Sequence, residues 1–316
     1  MTVIKTIHII MNPTSGESQL KVPFVSRLLG ITSHGGSGAS SVDVLTTVTE
    51  WFLERGVEVV GHKTKYGGHA TEIAKQLCTE GVDVVVAMGG DGTINEVANG
   101  LVGSGVTMGV IPLGTANVFS LAFGIPSQIL AACELILKGS RVPIDVGKAN
   151  DRYFLCMAGI GFDAYVIKQV DRRLKRWLGP LSYILTGVAE AFRYRSNPIR
   201  FKVDDETVER RGYMVVVGNI KHYGGALELI PKADPQDGYL DICCFNYRGV
   251  WRMVRNLWGM VHKQQIDPNE VSYIRAKKVV VGTKSRHCMH IDAEYMGSTP
   301  AYISVVPGGL RVIVGG

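Results

Sequence analysis

Apolar runs alternate with stretches of helical period through the first 140 residues of the chain. Val3–Met11 reads as a buried strand ending in the turn Asn12-Pro13-Thr14-Ser15-Gly16. Residues 30–41, GITSHGGSGASS, read as a polar, glycine-rich loop. Val44, Val48, Trp51 and Phe52 recur at helical spacing within Val42–Arg55, and Gly56 stops that helix. Strands are predicted over Val57–Gly61, Val82–Met88 and Val106–Ile111, with helices over Ala70–Cys78 and Thr93–Leu101 and further helices through Lys138. Strands that alternate with helices predict an α/β domain with a parallel sheet.

Beyond Pro143 short alternating runs take over: Tyr153–Met157, Ile199–Val203, Tyr213–Val217, Leu240–Phe245, Lys278–Val281, Ile303–Val306 and Leu310–Val314. They predict a β-rich antiparallel C-terminal domain, interrupted by helical stretches near 164–194 and 249–262. In the second stretch Val250, Val254, Leu257 and Val261 form one stripe, with Trp251 and Trp258 nearby, and the stripe is expected to face the core. The expected division is 1–142 and 143–316, with the last residues returning to the first domain.

The chain of 316 residues carries 46% hydrophobic and 20% charged residues, a globular composition. Its 38 glycines exceed the usual share of about 7%, so many close backbone approaches are expected. A net charge of +6 suits anionic ligands or an anionic membrane surface. The six cysteines lack a framework spacing and read as reduced core thiols, which points to a cytoplasmic location. No signal pattern opens the chain, and no run of about 18 apolar residues is present to span a bilayer. No basic-aromatic groove or known module points to nucleic acid.

The candidate chemistry begins at Gly89-Gly90-Asp91-Gly92-Thr93-Ile94-Asn95-Glu96, between a buried strand and a helix. Glycines let a backbone approach an anion, and the free N–H groups of a helix start face it. Alone the pattern is weak: Asn95 stands where a dinucleotide fingerprint has its third glycine, and a P-loop's Lys-Ser/Thr is missing. Asp91 and Glu96 repel phosphate unless a metal such as Mg²⁺ compensates. Asn12–Gly16, Thr64–Gly68 and Gly114–Asn117 follow other strands of the same sheet, at whose carboxyl ends ligands collect.

The chain resembles the diacylglycerol-kinase-like lipid kinases, which include sphingosine and ceramide kinases, and is most similar to the bacterial branch that lacks regulatory domains. The matching segments are Asn12-Pro13-x-Ser15-Gly16, GGDGTINEVANGL at 89–101, PLGTANVF at 112–119, GIGFDA at 159–164 and YGGALELIPKADPQDGYLD at 223–241. The resemblance implies an α/β nucleotide-binding domain and a β-rich lipid-substrate domain with the active site between them. It also implies phosphorylation of a lipid hydroxyl with ATP and Mg²⁺ as cofactors. Carried over by position, the nucleotide set is Asn12, Pro13, Thr14, Ser15, Gly16, Thr64, Gly89, Gly90, Asp91, Gly92, Thr93, Asn95, Glu96, Gly114, Thr115 and Asn117. Asp234, Asp237 and the backbone of Tyr239 match the family's magnesium loop. Ile291-Asp292-Ala293-Glu294 matches an Asp-Gly-Glu motif carrying the general base, with Glu294 favoured for that role and Asp292 for orienting or binding metal. Asp91 completes the catalytic set.

The chain departs from the family at Val118 and Leu121, where many members have Asp and Arg, and at Ala293 in place of Gly. His287, Cys288, His290 and Asp292 imitate a metal site, but their spacing fits no standard zinc pattern. The expected partner is a lipid at a membrane surface, met peripherally through Lys168, Arg172, Arg173, Lys175 and Arg176 beside Trp177–Leu181. The plan leaves room for a homodimer. The alternatives are an enzyme like the NAD kinases, which share a Gly-Gly-Asp-Gly loop, and a catalytically silent protein that binds nucleotide or membrane.

Overall fold

A computed structural model describes residues 4–13, 41–170, 181–191, 193–195, 197–206, 209–225, 227–262, 267–282 and 286–315. The chain forms two compact units, the first running to Ile144 and regaining the chain from Gly308 onward, the second spanning Asp145–Pro307.

The first unit is an α/β layer structure. Strands β1 (Thr6–Met11), β2 (Glu58–Lys63), β3 (Val84–Gly89) and β4 (Thr107–Pro112) lie in the order β2-β1-β3-β4, all parallel. The end of the chain joins this sheet: Arg311 and Val312 pair in parallel with Thr107 and Met108 of β4. Every residue of β3 and β4 is buried, as expected of a parallel sheet covered on both faces. The connections are helices α1 (Ser41–Leu53), α2 (His69–Thr79), α3 (Asp91–Leu101), α4 (Val118–Ala122) and α5 (Ile129–Lys138). On one face Ile7, Ile9, Val84 and Val86 share a core with Val48 and Phe52 of α1 and Ala132 and Ile136 of α5. The helix after the Gly-Asp-Gly segment begins at Asp91 rather than Thr93, so Asp91 and Gly92 form its first turn.

The second unit is a β-sandwich. Its strands, of which the first part of β5 and the last part of β18 belong to the first unit, are β5 (Ser140–Ala149), β6 (Arg152–Phe154), β7 (Met157–Gly161), β8 (Ile199–Val203), β9 (Arg210–Gly212), β10 (Met214–Gly218), β11 (His222–Tyr223), β12 (Leu227–Glu228), β13 (Leu240–Phe245), β14 (Val271–Ala276), β15 (Lys278–Val281), β16 (Cys288–Ile291), β17 (Glu294–Ser298) and β18 (Ala301–Val314). Six of them form an antiparallel sheet ordered β14-β13-β10-β7-β16-β17. Facing it, β15 pairs antiparallel with β18 and β8, and β8 with β9. Val215, Val217, Ile242 and Cys244 meet Phe201, Val279, Val281 and Ile303 in the core between them. Helices α6 (Phe162–Gln169), α7 (Leu181–Ala191) and α8 (Val250–Val261) complete the unit.

The expected short runs at 303–306 and 310–314 are one strand, β18, which runs on through Pro307 and two glycines while its partner changes from β15, antiparallel, to β4, parallel. Strands β5, β14 and β17 carry too many polar positions to be read from periodicity, and β16 is only four residues long. Of the stripe on α8 expected in the core, Val254 is 42% exposed and Leu257 half-buried, and the side chains of Val250 and Val261 lie outside those described; the nearby Trp251 and Trp258 are 54% and 56% exposed. The helix instead buries Met253 and Asn256. All six cysteines are free thiols, and burial pushes the Cys133 thiol up to about 12.

Adjacent strands β1 and β2 place His8 Nδ1 3.2 Å from His62 Nε2. Burial lowers both imidazoles below their usual 6.5, and the neighbouring His8 lowers His62 further. Well above pH 6.5 both folded and unfolded chains hold these rings neutral. Below it the unfolded chain takes up protons first, so stability is lost as pH falls. The melting temperature should therefore drop between about pH 7 and about pH 5.5, and His62→Gln should flatten part of that drop in thermal scans. An identical pH profile in the variant would remove this pair from the explanation.

Candidate active site

The strand ends of the first unit are stitched side by side. The Thr64 N–H donates to the Met11 carbonyl (2.9 Å), the Asn12 N–H to Met88 (3.4 Å) and the Leu113 N–H to Gly89 (2.8 Å). Asn12 and Pro13, Thr64, Gly89–Gly92 and Gly114–Asn117 thereby share one edge of the sheet, where open α/β sheets collect ligands. Thr14, Ser15 and Gly16 lie outside the described residues.

Two of these loops touch backbone to backbone. A Cβ on Gly114 would meet the Gly90 Cα and the Asn117 Oδ1, each at 2.7 Å, so only glycine permits the approach. Asp91 fastens the contact, its Oδ1 accepting the Phe119 N–H at 3.2 Å. Asn117 sits at φ 47° and donates from Nδ2 to the Gly114 carbonyl at 2.9 Å. Its Oδ1 is buried with no hydrogen-bond partner among the described residues. Gly90, at the N-cap of α3, has no side chain to cap the helix, whose dipole end faces the loop. A glycine cradle, an uncapped helix start and an orphaned acceptor suit a ligand with anionic groups and a hydroxyl or amino donor.

The other members of the motif face elsewhere. Glu96 Oε2 accepts the Ala70 N–H at 3.3 Å in the first turn of α2, and the Glu96 carbonyl accepts the Thr71 hydroxyl at 2.7 Å. Gly68 precedes α2 and offers no side chain, so Glu96 caps that helix. Asn95 is buried and accepts from Asn99 Nδ2 within α3. The Thr93 side chain is buried over Gly89, and Thr115 is exposed. Val118 is buried and Leu121 exposed.

In the second unit, Asp292 and Ala293 form the two-residue turn between β16 and β17, with Ile291 paired to Glu294. Both turn residues have positive φ, 44° and 63°, the type I′ pattern that Asp-Gly adopts most easily. Asp292 anchors the neighbouring chain: Oδ2 accepts the Leu155 N–H (2.8 Å), and Oδ1 those of Cys156 (3.0 Å) and Met157 (2.8 Å). Glu294 stands in solvent, ion-paired with Arg152 at 3.3 Å. One side chain is built into the backbone network, whereas the other reaches out of the hairpin.

The loop at 234–239 is tied down by its own carboxylates. Asp234 Oδ1 accepts the Gln236 N–H, and Asp237 Oδ1 the Tyr239 N–H, each at 3.0 Å. Asp237 Oδ2 pairs with Arg275 at 2.9 Å, and the same guanidinium reaches Asp241 at 3.4 Å. Asp145 accepts the Gly238 N–H at 2.6 Å. Burial raises the Asp241 carboxyl above its usual value, and Arg275 opposes that shift. Sequence reading missed Asp145 and Arg275, because neither belongs to a motif and both come to the loop from strands remote in sequence.

His290 and Asp163 form a buried pair, Nε2 to Oδ2 at 3.0 Å. A Cβ on Gly159 would collide with both, which explains the glycine that opens the GIGFDA segment. The Tyr223 hydroxyl lies close by, raised well above 10 by burial and by Asp163. His290 is thus committed to Asp163, and no group of three His, Cys, Asp or Glu placed to hold a metal occurs among the described residues. Lys168 lies over the Tyr295 ring at 5.3 Å, while Arg172, Arg173, Lys175, Arg176 and Trp177–Pro180 lie outside the described residues.

Residues 27–149 match the family model of the diacylglycerol kinase catalytic domain, and residues 156–314 match that of the YegS C-terminal NAD kinase beta sandwich-like domain. A diacylglycerol kinase of Bacillus subtilis is 31% identical over 94% of this chain and 92% of its own. The chain belongs to the diacylglycerol kinase family. Membership makes it a kinase whose acceptor is a lipid alcohol. A diacylglycerol kinase of Staphylococcus saprophyticus is 28% identical over 94% of this chain and 91% of its own. The crystal structure of a diacylglycerol kinase from Bacillus anthracis superposes with a TM-score of 0.76 at 26% identity, covering 100% of this chain and 98% of that one. As in this family's two-part plan, the α/β unit carries a mostly parallel sheet and the second unit an antiparallel β-sandwich. No helix among the described residues is long and apolar enough to cross a membrane.

Ala293 holds a left-handed conformation that costs a non-glycine residue about 1 kcal/mol. Ala293→Gly should therefore raise the melting temperature by about 2–4 °C in calorimetry, and an unchanged or lower value would show that the turn is not strained.

Proposed function

We propose that the chain phosphorylates the hydroxyl of a diacylglycerol or a similar long-chain alcohol at a membrane surface, with ATP and Mg²⁺. The observation that supports this reading best is the Gly90–Gly114 cradle tied by Asp91 at the edge of the parallel sheet. In it the backbone at Gly90–Thr93 receives the γ-phosphate, and Asn12, Pro13, Thr14, Ser15, Gly16, Thr64, Gly114, Thr115 and Asn117 contact the nucleotide. Bound MgATP would supply the phosphoryl group. The chain's own task is positioning and charge neutralisation, which dominate phosphoryl transfer. Glu294 takes the proton from the lipid hydroxyl, a role supported by its exposed carboxylate, which is engaged by a surface ion pair with Arg152. Asp292 holds the hairpin that presents Glu294 through its three backbone hydrogen bonds. The match to a diacylglycerol kinase catalytic domain favours this reading over an enzyme acting on NAD. The relatives' names supply diacylglycerol as the acceptor to try first.

For the 234–239 loop we propose a divalent cation held by Asp234, Asp237 and the Tyr239 carbonyl. Such hard oxygens suit Mg²⁺, and Arg275 competes for Asp237.

Glu294→Gln should lower kcat about 100-fold or more with an unchanged melting temperature, measured with labelled ATP and dispersed diacylglycerol; near-wild-type turnover would end its role as base. Asp91→Asn keeps an oxygen for the Phe119 N–H and should preserve the fold while abolishing activity. Asp91→Ala should in addition lose about 1 kcal/mol of stability. An active Asp91→Asn enzyme would leave Asp91 a purely structural tie. Mg²⁺ should raise the melting temperature of Arg275→Ala more than that of the wild type, and no rise in either would make the loop an ordinary turn.

A further inference from the structure

Helix α8 (Val250–Val261) is amphipathic in an unusual sense. At 100° per residue Trp251, Val254 and Trp258 fall within about 60° of one another, and all three are exposed, by 54%, 42% and 56%. The opposite side is the one that packs. Met253 is buried, and the buried Asn256 donates from Nδ2 to the Tyr247 hydroxyl and to Glu270 Oε2, each at 2.8 Å. A helix that merely covered the sandwich would bury its tryptophans and expose its asparagine. Two half-exposed indoles and a valine make a patch of roughly 300 Å², the size that marks an interaction surface.

The charge beside the patch identifies what covers it. Arg248 is exposed, and Arg252 and Arg255 are 55% and 64% exposed on the flank of the helix. Both share one counter-ion, Glu270, at 2.7 Å. Two guanidiniums thus share one carboxylate, Arg248 adds a third positive charge nearby in sequence, and no Asp or Glu occurs between 248 and 262. Indoles are at home at the level of lipid headgroups, and arginines next to them draw anionic headgroups. A second copy of the same face would bring guanidinium against guanidinium, which disfavours self-association.

We propose that α8 is the membrane-docking element of this enzyme: Trp251, Val254 and Trp258 enter the interface of an anionic bilayer, while Arg248, Arg252 and Arg255 contact its headgroups. The inference rests on the lipid-kinase reading and adds the surface by which the chain meets its acceptor. It is independent of the basic segment at 172–176.

The test is co-sedimentation of the full-length protein with vesicles of phosphatidylcholine alone or mixed with phosphatidylglycerol. The wild type should bind the mixed vesicles, and binding should weaken with salt. Each of Trp251→Ala and Trp258→Ala should weaken it about tenfold. Arg255→Gln, which leaves the apolar face intact, should weaken it about fivefold, with a smaller salt dependence. All variants should melt within about 2 °C of the wild type and keep turnover on a short-chain diacylglycerol presented in micelles. Wild-type binding by the double tryptophan variant would overturn the proposal, as would no binding by the wild type. So would a dimer in sedimentation equilibrium that the tryptophan variants alone dissociate. Docking without phosphorylation of any lipid would instead overturn the kinase reading and leave α8 as the contact surface.

Discussion

The arrangement of the first unit depends on one close approach, Gly90 against Gly114, held by the bond from the Phe119 N–H to Asp91. Parallel strands end at the same edge, so their loops emerge side by side, but adjacency alone does not bring two backbones into contact. That needs two residues without side chains at the same height and a tie that resists separation. Asp91 supplies the tie from the first turn of a helix, where a carboxylate is favoured by the dipole. The same carboxylate that fastens the loops also sets the charge of the place where phosphate would lie. Fold and proposed chemistry therefore converge on a single side chain.

A comparable economy governs the hairpin at 291–294. Asp292 spends its oxygens on three backbone N–H groups of the segment 155–157, which fixes the turn against β7. The turn then projects Glu294 into solvent from a base fixed by those bonds, which is what the proton-transfer role proposed for it would need. Ala293 is the local concession, since glycine suits a left-handed position better. Nearby, the buried pair of His290 and Asp163 closes the gap that Gly159 leaves open.

The alternation of strands and helices to residue 140, the β-rich texture beyond it and the glycine loops were legible, because buried parallel strands are continuous apolar runs and glycine punctuates them. Strands such as β14 and β17 were not, because each has one face in solvent and its pattern dissolves into polar residues. The apolar residues of α8 were legible as a pattern, but not that Trp251, Val254 and Trp258 would be exposed. Periodicity says that a helix has an apolar face, and it does not say whether protein or something else meets that face. The Glu96 carboxylate shows the same limit, since its motif suggested a ligand and the structure sets it on the amide of Ala70.

By itself the sequence determined the fold class and the short list of residues suited to phosphate chemistry, because both follow from local composition and spacing, and its motifs carried the resemblance to the family. The tertiary structure decided which of them meet. It put Gly90 on Gly114, gave Asp292 to the backbone and Glu294 to solvent, brought Arg275 to Asp237, and turned two tryptophans outward. Those outcomes depend on strand register and on pairings between residues far apart in the chain, and no local pattern carries that information.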